Sequence, residues 1–170
     1  MMIKDQTIEN FLDSVASKSP TPGGGSVAAV TGAMAASLVE MVCNLTIGKK
    51  KYPEVQDEMI RVAERASELS GELLALADQD CLAFEKVMAA YKTEDKDKIK
   101  GALLIAIEVP KKVAELSENV RELAVITAEL GNKNAHSDAM SAEHLAFAAV
   151  QSATENIEIN KRALTALAKL

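Results

Sequence analysis

Apolar positions recur with a helical period along nearly the whole chain. Ile8, Phe11, Leu12 and Val15 share one face of a short helix that Thr7 is placed to cap. Ser26 to Ile47 is apolar on every side, with Glu40 its single charge and Ser26 standing where a cap belongs. Over about residues 54–92, Val55, Met59, Val62, Ala66, Leu69, Leu73 and Leu76 step by alternating fours and threes. That is a heptad seam, suited to packing against neighbouring helices. Asp80 takes the next seam position, and Phe84, Val87 and Tyr91 resume it. A carboxylate in line with an apolar seam is the anomaly of this helix. A fourth helix is expected over about 98–130, kinked or split at Pro110, because proline leaves the carbonyl one turn back without its donor. A last helix runs from a cap at Ser137 or Asp138 to about residue 168.

The breaks are few and sharp. Ser19-Pro20-Thr21-Pro22-Gly23-Gly24-Gly25 cannot be helical, Gly48 stops the second helix, and Gly131-Asn132 is expected to end the fourth with a left-handed residue. No segment alternates with the period of a strand. The expected fold is all-α: one domain over 1–170, a multihelical bundle of about five to six helices around a central apolar helix. That central helix is also long enough to cross a membrane, and Lys49, Lys50 and Lys51 imitate a flank. Its content of Ala, Gly, Ser and Thr, with Glu40 and Asn44 inside it, argues instead for the middle of a bundle and no membrane.

Composition sharpens the picture. Aromatic residues are 3% of the chain against 48% apolar overall, so the core must be built from Ala, Leu, Val, Ile and Met. A net charge of −6 supplies no basic face for nucleic acid. Cys43 and Cys81 lie inside helical patterns and read as reduced core thiols of a cytoplasmic protein. Residues 1–10 lack the apolar stretch of a signal peptide.

Candidate chemistry gathers in two loops, 19–26 and 131–138. Gly23-Gly24-Gly25 before a helix start exposes backbone N–H groups with a positive dipole end behind them, suited to an anion or a carbonyl oxygen. The same glycines also suit a tight turn, and both readings stay open. Asn132, Asn134, His136, Ser137 and Asp138 crowd a second helix start, as a polar site or as a capping motif. Ser152, Asn156 and Asn160 lie one turn apart on one face of the last helix, placed to bond across helices or to meet a polar ligand. Lys49, Lys50 and Lys51 with Tyr52 concentrate positive charge that could hold an anionic substrate. His136 and His144 are too far apart for a helical metal pair, and no metal is expected.

The segments Ser19-Pro20-Thr21-Pro22-Gly23-Gly24-Gly25-Ser26-Val27-Ala28-Ala29 and Leu45-Thr46-Ile47-Gly48-Lys49-Lys50-Lys51-Tyr52 resemble the cyclodeaminase/cyclohydrolase family. Val109-Pro110, Gly131-Asn132, Ser137-Asp138 and Asn156-Ile157-Glu158-Ile159-Asn160 extend the likeness, in order, over most of the chain. The family comprises the C-terminal domain of formiminotransferase-cyclodeaminase and free-standing methenyltetrahydrofolate cyclohydrolases. The resemblance implies a helical bundle that forms a homodimer and works on a tetrahydrofolate derivative, polyglutamylated forms included, with no cofactor beyond that substrate. It also implies a further helical segment beyond the point where this chain ends, and substrate arriving by diffusion or from a separate enzyme.

Two reactions follow from the resemblance. Cyclodeamination of 5-formiminotetrahydrofolate to the 5,10-methenyl compound and ammonia is the first choice. Cyclohydrolysis of the 5,10-methenyl compound to 10-formyltetrahydrofolate is the alternative. Each passes through a tetrahedral carbon between two nitrogens and needs a proton carrier beside a cation. Asp138 is expected to be that carboxylate, with Asp80 second if its seam position buries it. Gly23, Gly24, Gly25 and Ser26 are expected to hold a polar edge of the folate. Lys49 and Lys51 would meet its glutamate carboxylates and Tyr52 would stack, with Asn132, Ser137 and Asn160 among the binding groups. A helical oligomeric scaffold without activity is the alternative from another class.

Overall fold

The computed structural model describes residues 2–169. Five α-helices and three single 3-10 turns carry the chain: α1 Ile8–Ala16, α2 Gly24–Asn44, α3 Gln56–Tyr91, α4 Lys96–Leu130 and α5 His136–Leu167. Among the described residues there is no strand. Short connections make α2, α3, α4 and α5 alternate in direction, and each packs on its neighbours in the order α2, α3, α4, α5 and back to α2.

The seam read from α3 holds. Met59, Val62, Ala66, Leu69, Leu73 and Leu76 are all buried. On α5, Ala139, Ala142, Ala146, Ala149 and Ala153 repeat by threes and fours and are fully buried. They meet the buried alanines of α2, among them Ala28, Ala29, Ala35 and Ala36. Side chains this small bring backbones close, which is how a chain so poor in aromatics fills its core. Gly32 marks the tightest crossing, since a Cβ there would stand 2.7 Å from Ser117 Oγ and 3.2 Å from Leu73 on the facing helices.

Helix α2 passes the length and hydropathy test for a membrane span, yet it packs against α3, α4 and α5. Its outer face is not covered: Met34 is 49% exposed in an apolar groove with Val30, Leu38, Met41, Leu74 and Leu145. The cap of α1 is Thr7, whose hydroxyl accepts from Asn10 N–H at 3.2 Å. Phe11 reaches the core, but Ile8 and Leu12 stay exposed.

Several local expectations are corrected. Ser26 is not the cap of α2; Gly23 holds that position and Ser26 is buried in the first turn. Helix α4 runs through Pro110 as one element. Gly131 is extended rather than left-handed, with φ −74° and ψ −177°. Glycine is needed there because a Cβ would collide with the Thr127 carbonyl and crowd Val42 at 2.9 Å. Neither Ser137 nor Asp138 caps α5, since both lie inside its first turn.

Candidate active site at the glycine-rich end of the bundle

The Gly-rich turn delivers α2 against the second half of α3, and the seam anomaly resolves at that contact. Asp80 is half-buried, and its Oδ2 accepts from Ser26 Oγ at 2.8 Å. The Ser26 backbone also favours the ionised form of this carboxylate. Ser26 Oγ lies 3.1 Å from the Ala77 carbonyl and 3.3 Å from Cys81 Sγ. A hydroxyl with one proton and two lone pairs can therefore serve both states of Asp80. It donates to the ionised carboxylate, or accepts from the neutral acid while donating to Ala77. Burial outweighs those hydrogen bonds and raises the Asp80 pKa above its usual value. Gly25 must lack a side chain, because a Cβ would collide with the Asp80 carboxylate.

Asp80 and the glycines form the floor of a cleft of about 400 Å³. Phe84, Val87, Met88 and Tyr91 of α3 make one wall, with Leu103 and Ala106 of α4 behind. Asn156, Ile159, Asn160 and Ala163 of α5 make the other, and Pro20 and Thr21 reach the rim. The seam positions beyond Asp80 thus stop being core and become cleft wall. An apolar slot of this size with a few converging polar groups suits a flat heterocyclic ligand. The α5 amides are held from behind: Asn156 Nδ2 donates to Ser152 O and Asn160 Nδ2 to Ala106 O, each at 2.8 Å.

The second loop does not join this site within one chain. It lies at the other end of α2, about 30 Å away for a 21-residue helix rising 1.5 Å per residue. There Asn132 N–H donates to Thr46 Oγ1 at 2.8 Å, Asn132 Nδ2 to Leu45 O at 2.9 Å, and Asn132 Oδ1 accepts from Asn134 N–H at 3.1 Å. The Tyr52 hydroxyl accepts from Lys133 N–H at 3.0 Å, and Lys51 Nζ sits 5.9 Å from its ring centre. Lys49 and Lys51 are exposed beside this joint. Ser137 is exposed and Asp138 half-buried at the same end. Of the expected site residues, Gly23, Gly24, Gly25, Ser26, Asp80 and Asn160 come together. Lys49, Lys51, Tyr52, Asn132, Ser137 and Asp138 form a separate group, so the expected first choice, Asp138, is remote from the cleft of its own chain.

The thiols fall on either side of the divide. Cys43 is fully buried, and burial, aided by Glu40, pushes its pKa up to about 12. Cys81 is half-buried beside Ser26, and burial raises its pKa too. The α3 wall of the cleft was missed in the sequence. Its signal was the aromatic pair Phe84 and Tyr91, two of the five aromatic residues in the chain, placed on a seam otherwise made of aliphatic side chains.

Comparison with known proteins points the same way. The sequence profile of the family described as formiminotransferase-cyclodeaminase matches residues 7–168. The chain is 45% identical to methenyltetrahydrofolate cyclohydrolase of Methylorubrum extorquens, over 96% of this chain and 83% of that protein. It is 30% identical to formimidoyltransferase-cyclodeaminase of Rattus norvegicus, over 95% of this chain but only 31% of that longer protein. The crystal structure of formiminotetrahydrofolate cyclodeaminase from Thermotoga maritima superposes with a TM-score of 0.92 at 39% identity, over 98% of this chain and 85% of that one.

Proposed function

Because the chain belongs to the formiminotransferase-cyclodeaminase family, we propose that its cleft carries out folate one-carbon chemistry at the carbon between N5 and N10. The observation that carries this reading is Asp80. It is a half-buried carboxylate of raised pKa, at the floor of a slot that fits a ring, with Ser26 able to serve either protonation state.

In the hydrolytic direction, water adds to the methenyl carbon and Asp80 takes the proton released. The C–N5 bond then breaks, N5 receives a proton from Asp80, and the formyl group stays on N10. The second water proton goes to solvent. In the deaminating direction, N10 attacks the formimino carbon and gives its proton to Asp80. Asp80 returns that proton to the leaving nitrogen, which entered as the protonated amidinium (C=NH2+), so it now carries three hydrogens, departs as ammonia and leaves the methenyl cation. One carboxyl whose pKa burial raises serves both sequences. Both keep the carbon at the oxidation level of formate, so the proposed chemistry draws on no redox cofactor and no metal.

Hydrolysis is our first reading. The relative at 45% identity carries that name and aligns over nearly the whole chain. This reverses the order in which the sequence alone ranked the two. Deamination is the second reading, favoured by the structural neighbour of TM-score 0.92. Absorbance of the methenyl chromophore separates them. Its loss faster than the buffer control, starting from 5,10-methenyltetrahydrofolate, marks the hydrolase. Its appearance from 5-formiminotetrahydrofolate with release of ammonia marks the deaminase. No change in either, with no folate-induced rise in melting temperature, marks a scaffold.

We further propose a cytoplasmic homodimer, formed through the exposed apolar groove of α2. An antiparallel two-fold pairing centred near Met34 and Ser37 would lay the 45–52 segment of a second copy beside the Gly-rich turn. Lys49 and Lys51 of that copy would then meet the glutamate tail of a folate bound in the cleft. Light scattering on the purified protein checks the dimer. Met34→Glu, which puts a charge in the centre of the groove, is expected to give a monomer.

A further inference from the structure

Helix α4 carries Pro110 in its interior, and the cost of that proline has a use. Pro110 has no N–H, so the carbonyl of Ala106, one turn back, is without its helical donor. That carbonyl borders the cleft and is reached from α5 by Asn160 Nδ2 at 2.8 Å. A carbonyl only accepts, so this contact fixes which end of the Asn160 amide faces it. One Nδ2–H is used on Ala106, the second stays free, and Oδ1 is turned away from that carbonyl. Asn156 differs: one Nδ2–H goes to Ser152 O of its own helix, and Nδ2 lies nearer than Oδ1 to the position a Gly24 Cβ would take. Among the described residues, neither amide oxygen receives a protein hydrogen bond.

We infer that Pro110 is a positioning residue that sets the polarity of Asn160, so that the α5 wall of the cleft offers the Asn160 Oδ1 in a fixed place and selects a heterocycle edge bearing N–H donors. With Asp80 at the floor, two acceptor groups line the slot. A ring edge carrying amino and ring N–H groups satisfies them. An edge that presents only acceptors leaves them unpaired, which a site of this kind rejects. For the proposed substrate, the matching edge is the aminopyrimidinone part of the pterin. This deepens the proposed function and rests on its placing the substrate in the cleft.

The test is a double-mutant cycle between Pro110→Ala and Asn160→Ala, read by KM and kcat for the methenyl compound and by thermal melts. Pro110→Ala restores a backbone donor to Ala106 and frees the Asn160 amide to turn. KM is expected to rise about 5–10-fold, the worth of a buried hydrogen bond, with little change in kcat. Asn160→Ala is expected to raise KM similarly, and the double variant is expected to be no worse than Asn160→Ala alone. An unchanged KM in Pro110→Ala, or effects that multiply in the double variant, overturns the inference. If Pro110→Ala does not fold, Asn160→Ala decides: it removes the oxygen that the inference assigns to the substrate, and a KM equal to wild type overturns the inference. Wild-type turnover and folate binding test the underlying reading separately. Should wild type neither turn over nor bind, that reading fails. The NMR signal of the Asn160 side-chain amide then still decides the relay: a shift in Pro110→Ala supports it and no shift overturns it.

Discussion

The two ends of this bundle hold similar residues and use them in opposite ways. At the far end, Thr46, Tyr52, Asn132, Lys133 and Asn134 bond to one another or to backbone, joining the α2–α3 connection to the α4–α5 connection. At the glycine-rich end, Asp80, Asn156 and Asn160 are held from behind and face a cleft. Polar residue types alone do not distinguish a joint from a site. What distinguishes them is whether their hydrogen-bonding capacity is used up inside the protein.

Variants at the two ends should therefore fail in different ways. Asp80→Asn is expected to cut turnover by roughly 10²–10⁴-fold, the range for loss of a proton carrier, while the melting temperature at neutral pH does not fall. Gly25→Ala drives a methyl group into the Asp80 carboxylate and is expected to cost roughly 100-fold in kcat, as a displaced catalytic group does. At the far end, Asn132→Ala is expected to lower unfolding free energy by about 1–3 kcal/mol in urea melts, with kcat of the folded protein unchanged. Tyr52→Phe removes one exposed acceptor and is expected to cost about 1 kcal/mol by the same assay.

The smallest effect is in the pH dependence of stability. Burial holds the folded pKa of Asp80 above its ordinary 3.8, so between those two values the folded state binds more protons than the unfolded chain. The contribution of Asp80 to stability must then fall as pH rises from about 3.8 through the raised value. Asp80→Asn should be free of that fall, and comparing urea midpoints of the two proteins across this range checks it.

Much of this was legible in the sequence. The seam of α3 gave the buried face, and Asp80 stood out because a carboxylate interrupted it. The Gly-rich turn was recognisable as a candidate, though its requirement comes from Asp80 pressing on Gly25, which no local pattern encodes. The two loops expected to share a site lie at opposite ends of one chain. Periodicity reports which face of a helix is buried, not which helix ends meet. Direction carried that information: with short connections, the turn before α2 and the turn after α4 must lie at opposite ends of an alternating bundle. The same alternation returns Asn160, far along α5, to the glycine-rich end. Pro110 was read as a break because the sequence shows the missing donor but not Asn160, which replaces it on Ala106.

The most direct test compares the two carboxylates in one assay. Loss of methenyl absorbance would be followed with wild type, Asp80→Asn and Asp138→Asn, each confirmed folded by its melt. The expected result is turnover abolished in Asp80→Asn and within a few-fold of wild type in Asp138→Asn. Near-normal turnover in Asp80→Asn with loss in Asp138→Asn would contradict the placing of the reaction in the glycine-rich cleft.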